Sequence, residues 1–130
     1  MGPEPEKTME QVIRDDGRYA PAAYAFLHEG LNKAAKDVYG DAPVTTQRHV
    51  TGQQICTALR DLAIERYGLL ARTVLGKWNV RQTMDFGEMV YLLIRHGLMR
   101  KTAEDSLEDF RDVYRFEDVF IPPTNFELKE

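Results

Sequence analysis

Residues 83–100, TMDFGEMVYLLIRHGLMR, constrain the fold more than any other stretch of this chain. Phe86, Met89, Val90, Leu93 and Ile94 recur at i, i+3, i+4, i+7 and i+8, the spacing of one helix face. Tyr91 and Leu92 add apolar surface on the other sides. A helix this apolar has to be covered almost all round, and the run from Met89 to Ile94 is far shorter than the ~20 residues that span a bilayer. The spacing predicts a central core helix over 85–96. Thr83 or Asp85 is its expected cap, with Asp85 and Glu88 the better capping pair at the positive helix end. Around it, Phe86, Met89, Leu93, Leu59, Leu62, Leu27 and Trp78 are expected to be buried together.

The segments before it carry equally local signals. Thr8 with Gln11 forms a capping-box pair ahead of Met9, Val12 and Ile13, which predicts a short helix stopped at Gly17. Pro21 suits a first helical turn, and Tyr24, Leu27, Leu31, Ala34 and Val38 keep helical spacing to Gly40, predicting a helix over 21–39. Residues 41–50 read as a connector in which 44–50 favours an extended segment. Thr51 with Gln54 is a second capping box, and Ile55, Ala58, Leu59 and Leu62 follow to Gly68. Arg66 continues that spacing and is expected to lay its stem along apolar surface. A helix over 52–67 and a shorter one over 69–78 result.

After Gly97 the pattern changes. Residues 98–102 are expected to leave the helix as a strand. Residues 110–116 alternate, with Phe110, Asp112, Tyr114 and Phe116 on one side, and have the aromatic and β-branched content of a second strand. A helix over 106–114 fits Leu107, Phe110, Val113 and Tyr114 and is the rival. Three helices followed by a hairpin predict a mainly α fold with a winged-helix-like core (three helices plus a small β-hairpin) and two N-terminal helices; an all-α helical bundle is the alternative. Residues 1–7 are expected as a disordered lead, 8–120 as one globular domain and 121–130 as a tail.

Charge is uneven along the chain. The total is −4 over 130 residues, yet 60–101 carries a net +4 through Arg60, Arg66, Arg72, Lys77, Arg81, Arg95, Arg100 and Lys101, while 102–130 carries −6. Either the acidic end folds back over the basic middle, or the middle is an anion- or partner-binding face. The acidic, proline-containing start has no signal-peptide pattern, and the single Cys56 cannot form an internal disulfide, so a reducing, cytoplasmic setting is expected. Cys56 sits in a helical pattern and reads as a small buried thiol.

Catalytic and metal signals are thin. His28, His49 and His96 have no metal-ligand spacing, and C-x-x-C, H-E-x-x-H and phosphate-loop patterns are missing from the sequence. His49, just before a capping box, is expected to orient a local turn. The carboxylates Glu104, Asp105, Glu108, Asp109 and Asp112 fit no calcium loop and read as a solvated acidic wing. No cofactor or metal is expected.

Four phrases together resemble a known family: His49-Val50-Thr51-Gly52-Gln53; Ala71-Arg72-Thr73-Val74-Leu75 with Trp78; Asp85-Phe86-Gly87-Glu88; and Asp109-Phe110-Arg111-Asp112-Val113-Tyr114. From about Met9 to Phe120 the chain is similar to an uncharacterised family of small bacterial proteins known mainly from planctomycetes and verrucomicrobia. The resemblance implies a bacterial cytoplasmic protein and brings no catalytic residue or substrate with it.

The expected function is a non-catalytic, winged-helix-like interaction module for a protein partner or for self-association, without membrane contact. A nucleic-acid-binding regulator is one alternative, disfavoured by the net negative charge, and an uncharacterised enzyme is another. Phe120 and Phe126, flanking Pro122-Pro123, are expected as outward partner contacts, with Arg72, Lys77 and Arg81 as the facing charges.

Overall fold

The computed structural model describes residues 7–40, 49–102 and 105–120. Residues 44–48 of the expected extended segment at 44–50, together with Glu104 and Phe126, lie outside them. The described residues are mainly helical and contain no strand: α1 (Met9–Asp16), α2 (Pro21–Tyr39), α3 (Gly52–Tyr67), α4 (Ala71–Lys77), α5 (Thr83–Arg95) and a one-turn α6 (Phe116–Val119). Two 3₁₀ turns, Gly68–Leu70 and Leu107–Phe110, complete the order.

Helices α1 and α3 begin where side chains satisfy orphan amides. Thr8 Oγ1 accepts from Gln11 N and Gln11 Oε1 from Thr8 N, and Thr51 and Gln54 repeat the exchange. Helix α2 instead starts on Pro21. Helix α5 starts one turn earlier than the expected Asp85–Glu88 pair implies. Its N-cap is Gln82, and the Asp85 carboxylate reaches back to accept from Gln82 N and Arg81 N at 3.1 and 2.8 Å. The same carboxylate accepts from the Tyr19 hydroxyl at 2.7 Å, fastening the α1–α2 loop to the start of α5.

Helices α2 and α3 pack side by side along their length. Their approach depends on Gly30, whose absent Cβ would lie 2.2 Å from Cδ2 of the fully buried Leu59. Gly30→Ala is expected to cost about 1–3 kcal/mol by overpacking, although alanine is the better helix former; a denaturant melt in which the variant equals or exceeds the wild type would show that the helices separate freely. The bidentate Arg66–Glu29 pair, both N–O distances 2.7 Å, spans the same two helices at the surface. The Arg66 head thus reaches across to α2, and at this exposure the pair is screened by solvent and adds little to stability.

Helix α5 is covered as its composition requires. Phe86, Met89, Val90, Leu92 and Leu93 are buried, and Arg95 is its one exposed residue. Leu27, Leu59 and Leu62 are buried with them; Trp78 is half-buried, its ring 5.6 Å from Phe26 and 6.0 Å from Tyr67.

The expected hairpin at 98–116 does not form. A ladder needs the backbone groups of 110–113, and these are taken by one side chain of α5. The buried Thr83 hydroxyl donates to Phe110 O at 2.6 Å and accepts from Val113 N at 3.2 Å. Asp112, at φ 48°, lies in the left-handed region and turns the chain between them. Upstream, Ser106 Oγ caps Glu108 N, and the Asp109 carboxylate accepts from Ser106 N, so residues 107–110 close as a 3₁₀ turn.

Phe110 then enters a cradle made by two glycines. A Cβ on Gly52 would lie 3.0 Å from its ring, and one on Gly87 2.7 Å from its β-carbon. The C-terminal segment thus docks onto α3 and α5, and aromatic burial rather than charge drives it. Phe110, Phe116 and Phe120 are all buried, and the Tyr114 hydroxyl donates to Cys56 O at 2.7 Å. Within the segment Glu108 pairs with Arg111 and Glu117 with Arg115, and among the described residues no ion pair joins its acids to residues 60–101.

Candidate functional site

Residue by residue, the sequence-predicted partner face comes apart. Phe120 is 2% exposed, edge-on to Phe116 with centroids 5.0 Å apart and to Tyr114 at 6.3 Å. It closes the aromatic cluster inside the fold and is not available as an outward contact. Arg72, Lys77 and Arg81 are exposed but serve different surroundings. Arg81 turns back, its guanidinium donating to Gly76 O at 3.3 Å near the end of α4. Arg72 lies near enough to help hold the Glu117 carboxyl down, behind the larger effect of the Arg115 contact. Lys77 lines a wide cleft of about 530 Å³ with Trp78, Tyr19, Arg14 and Arg18.

A more enclosed cleft, about 320 Å³, opens between α2, α5 and the segments at 49–50 and 99–110. Its walls are apolar: Leu31 and Ala35 from α2, Ile55 from α3, Val90 and Ile94 from α5, and Met99. These positions recur at helical spacing on α2 and α5, and the C-terminal segment contributes Asp105, Ser106, Asp109 and Phe110 to the lining. At one end stand His49, Asp105, Ser106, Asp109, Arg100 and Tyr91.

Each polar group has a traceable environment. His49 is held twice: its carbonyl accepts from the Tyr39 hydroxyl, and Nε2 lies 3.0 Å from Asp105 Oδ1. It therefore links two distant segments, beyond the local turn that sequence reasoning assigned to it. Asp105 Oδ2 accepts from Thr102 N at 2.8 Å. Asp109 uses Oδ2 on Ser106 N. The Tyr91 hydroxyl is buried with no hydrogen-bond partner. Burial, followed by the negative charge of Asp105 and Asp109, raises its pKa above the ordinary phenol value.

Ser106, His49 and Asp105 invite comparison with a nucleophile, base and orienting acid, but their bonds run otherwise. Ser106 Oγ accepts from a backbone amide, Asp105 holds the His49 Nε2 edge, and among the described residues no hydrogen bond joins Ser106 to His49. Cys56 is no substitute nucleophile, since complete burial pushes its thiol up to about 12. Among the described residues no three His, Cys, Asp or Glu side chains converge as a metal site. No helix among them is long and apolar enough to cross a membrane.

The cleft was not legible as a unit. Its residues lie in five separate stretches, and the one signal in the sequence was the Ser106-x-x-Asp109 capping pair, which places both side chains at its mouth. No protein-family model, curated protein or solved structure matches this chain.

Proposed function

We propose that this chain is a non-catalytic interaction module of the bacterial family it resembles, acting in the cytoplasm. It holds a segment of a protein partner in the cleft between α2 and α5. The observation that carries the reading is that cleft: about 320 Å³ with apolar walls from Leu31, Ala35, Val90 and Ile94 and polar groups gathered at one end. Apolar walls supply the affinity of a small site, and a few placed polar groups supply orientation. His49, Asp105, Ser106 and Asp109 each make a bond that holds loops together, which suits recognition better than turnover.

Ala35 is half-buried on the cleft wall, and Ala35→Trp fills the space from one side. Cross-linking capture from the source organism is expected to return a protein with the wild type that is lost with Ala35→Trp, at unchanged thermal stability. An identical captured set from both proteins would remove the cleft from the reading.

A further inference from the structure

The cleft has a chemical polarity of its own. Its long walls offer methyl and methylene surface from Leu31, Ala35, Val90 and Ile94. Its end offers acceptors: the Asp109 carboxylate, whose Oδ1 has no donor among the described residues; the Asp105 carboxylate; and the Tyr91 hydroxyl, buried without a partner. A buried hydroxyl left unpaired is costly, and a ligand donor that reaches it recovers that cost. Among the described residues the positive groups lining the cleft are His49, already engaged with Asp105, and the exposed Arg100.

We infer that the cleft takes a primary ammonium at the end of an aliphatic chain, in the form of a lysine side chain of the partner. The four-carbon stem lies along the apolar walls, and the ammonium meets the two carboxylates and the phenol oxygen. An ammonium carries three donors, one for each of these three groups, on a compact charge at the end of a flexible stem. An anionic ligand meets two carboxylates instead. The place at the start of α3 where an anion would gain from the helix dipole is already filled, because Asp109 stands with its β-carbon 2.8 Å from the Cβ position of Gly52.

The inference rests on the cleft being the binding site, and the test separates the two. The ¹⁵N-labelled full-length protein is titrated with hexylammonium chloride, hexanol and hexanoate while the amides of Val90, Tyr91, Ile94 and Asp109 are followed. Hexylammonium is expected to shift them saturably, with an affinity on the order of tenfold above hexanol, the scale of a charge-assisted hydrogen bond. Asp109→Asn keeps an acceptor for Ser106 N but removes the charge, and is expected to lose that tenfold. Tyr91→Phe removes only the unpaired hydroxyl and is expected to weaken hexylammonium without affecting hexanol. Equal affinities for hexylammonium and hexanol, or indifference to both substitutions, overturn the ammonium assignment and leave an apolar cleft. Failure of all three probes to shift these amides overturns the cleft reading itself.

Discussion

Phe110→Ala is expected to destabilise the protein by about 3–5 kcal/mol, the range for truncating a buried aromatic whose site cannot collapse. Collapse is blocked here for a specific reason. The ring, 3% exposed, sits against Gly52 and Gly87, so the facing helices have no side chain to move into the space. The loss extends beyond the cavity, because Phe110 O is the acceptor for the buried Thr83 hydroxyl and the whole 107–120 segment is keyed through this residue. The cradle adds a second arm to the test. Gly87→Ala alone drives a methyl into the Phe110 β-carbon at 2.7 Å and is expected to destabilise by about 1–3 kcal/mol. In the double variant the 2.8 Å contact with Phe110 Cγ is gone and only the β-carbon contact remains, so the two losses combine to less than their sum. Strict additivity in urea melts would show that ring and glycine do not meet.

Raising the pH is expected to produce the second large effect. Burial pushes the Cys56 thiol from 9.0 up to about 12 and the Tyr24 phenol from 10.0 up to about 12; burial also raises Tyr19 and Tyr114. For such groups the folded state keeps the proton after the unfolded chain has released it. Stability is therefore fully present below the unfolded pKa values and is lost as pH rises toward the folded ones, each group removing about 1.4 kcal/mol per pH unit within its window. Cys56 alone accounts for about 4 kcal/mol between pH 9 and 12 on that scale. Urea midpoints are expected to hold level from pH 7 to 8.5 and to fall increasingly steeply above 9. In Cys56→Ala, whatever its starting stability, the onset moves up to the phenol range near 10. A level profile to pH 11 would mean that these groups are hydrated in the folded protein.

The helices were readable because their determinants are local. Two capping boxes, Pro21 at a first turn, and the stops at Gly17, Gly40 and Gly68 lie within a few residues of the ends they set. The spans at 21–39 and 52–67 follow directly. The segment after Gly97 was not readable for the opposite reason. Residues 110–116 alternate as a strand does, yet Thr83 supplies their hydrogen bonds and Gly52 and Gly87 supply their seat, all from distant positions. Phe120 was misplaced by the same logic. Beside Pro122 it reads as exposed, and only the packed Phe116 and Tyr114 rings show it buried. The cleft inherits this problem, since one end exists only because the C-terminal segment docks.

That docking is the central claim, and amide hydrogen exchange at Phe120 tests it most directly. Phe120 N donates to Phe116 O at 2.8 Å in the one-turn helix α6, too short to persist without tertiary support. If residues 105–120 belong to the core, this amide exchanges at the slow rate of the α5 amides, through global opening, and Phe110→Ala accelerates it. Exchange of Phe120 at the rate of an unprotected chain, while α5 remains protected, would contradict the account.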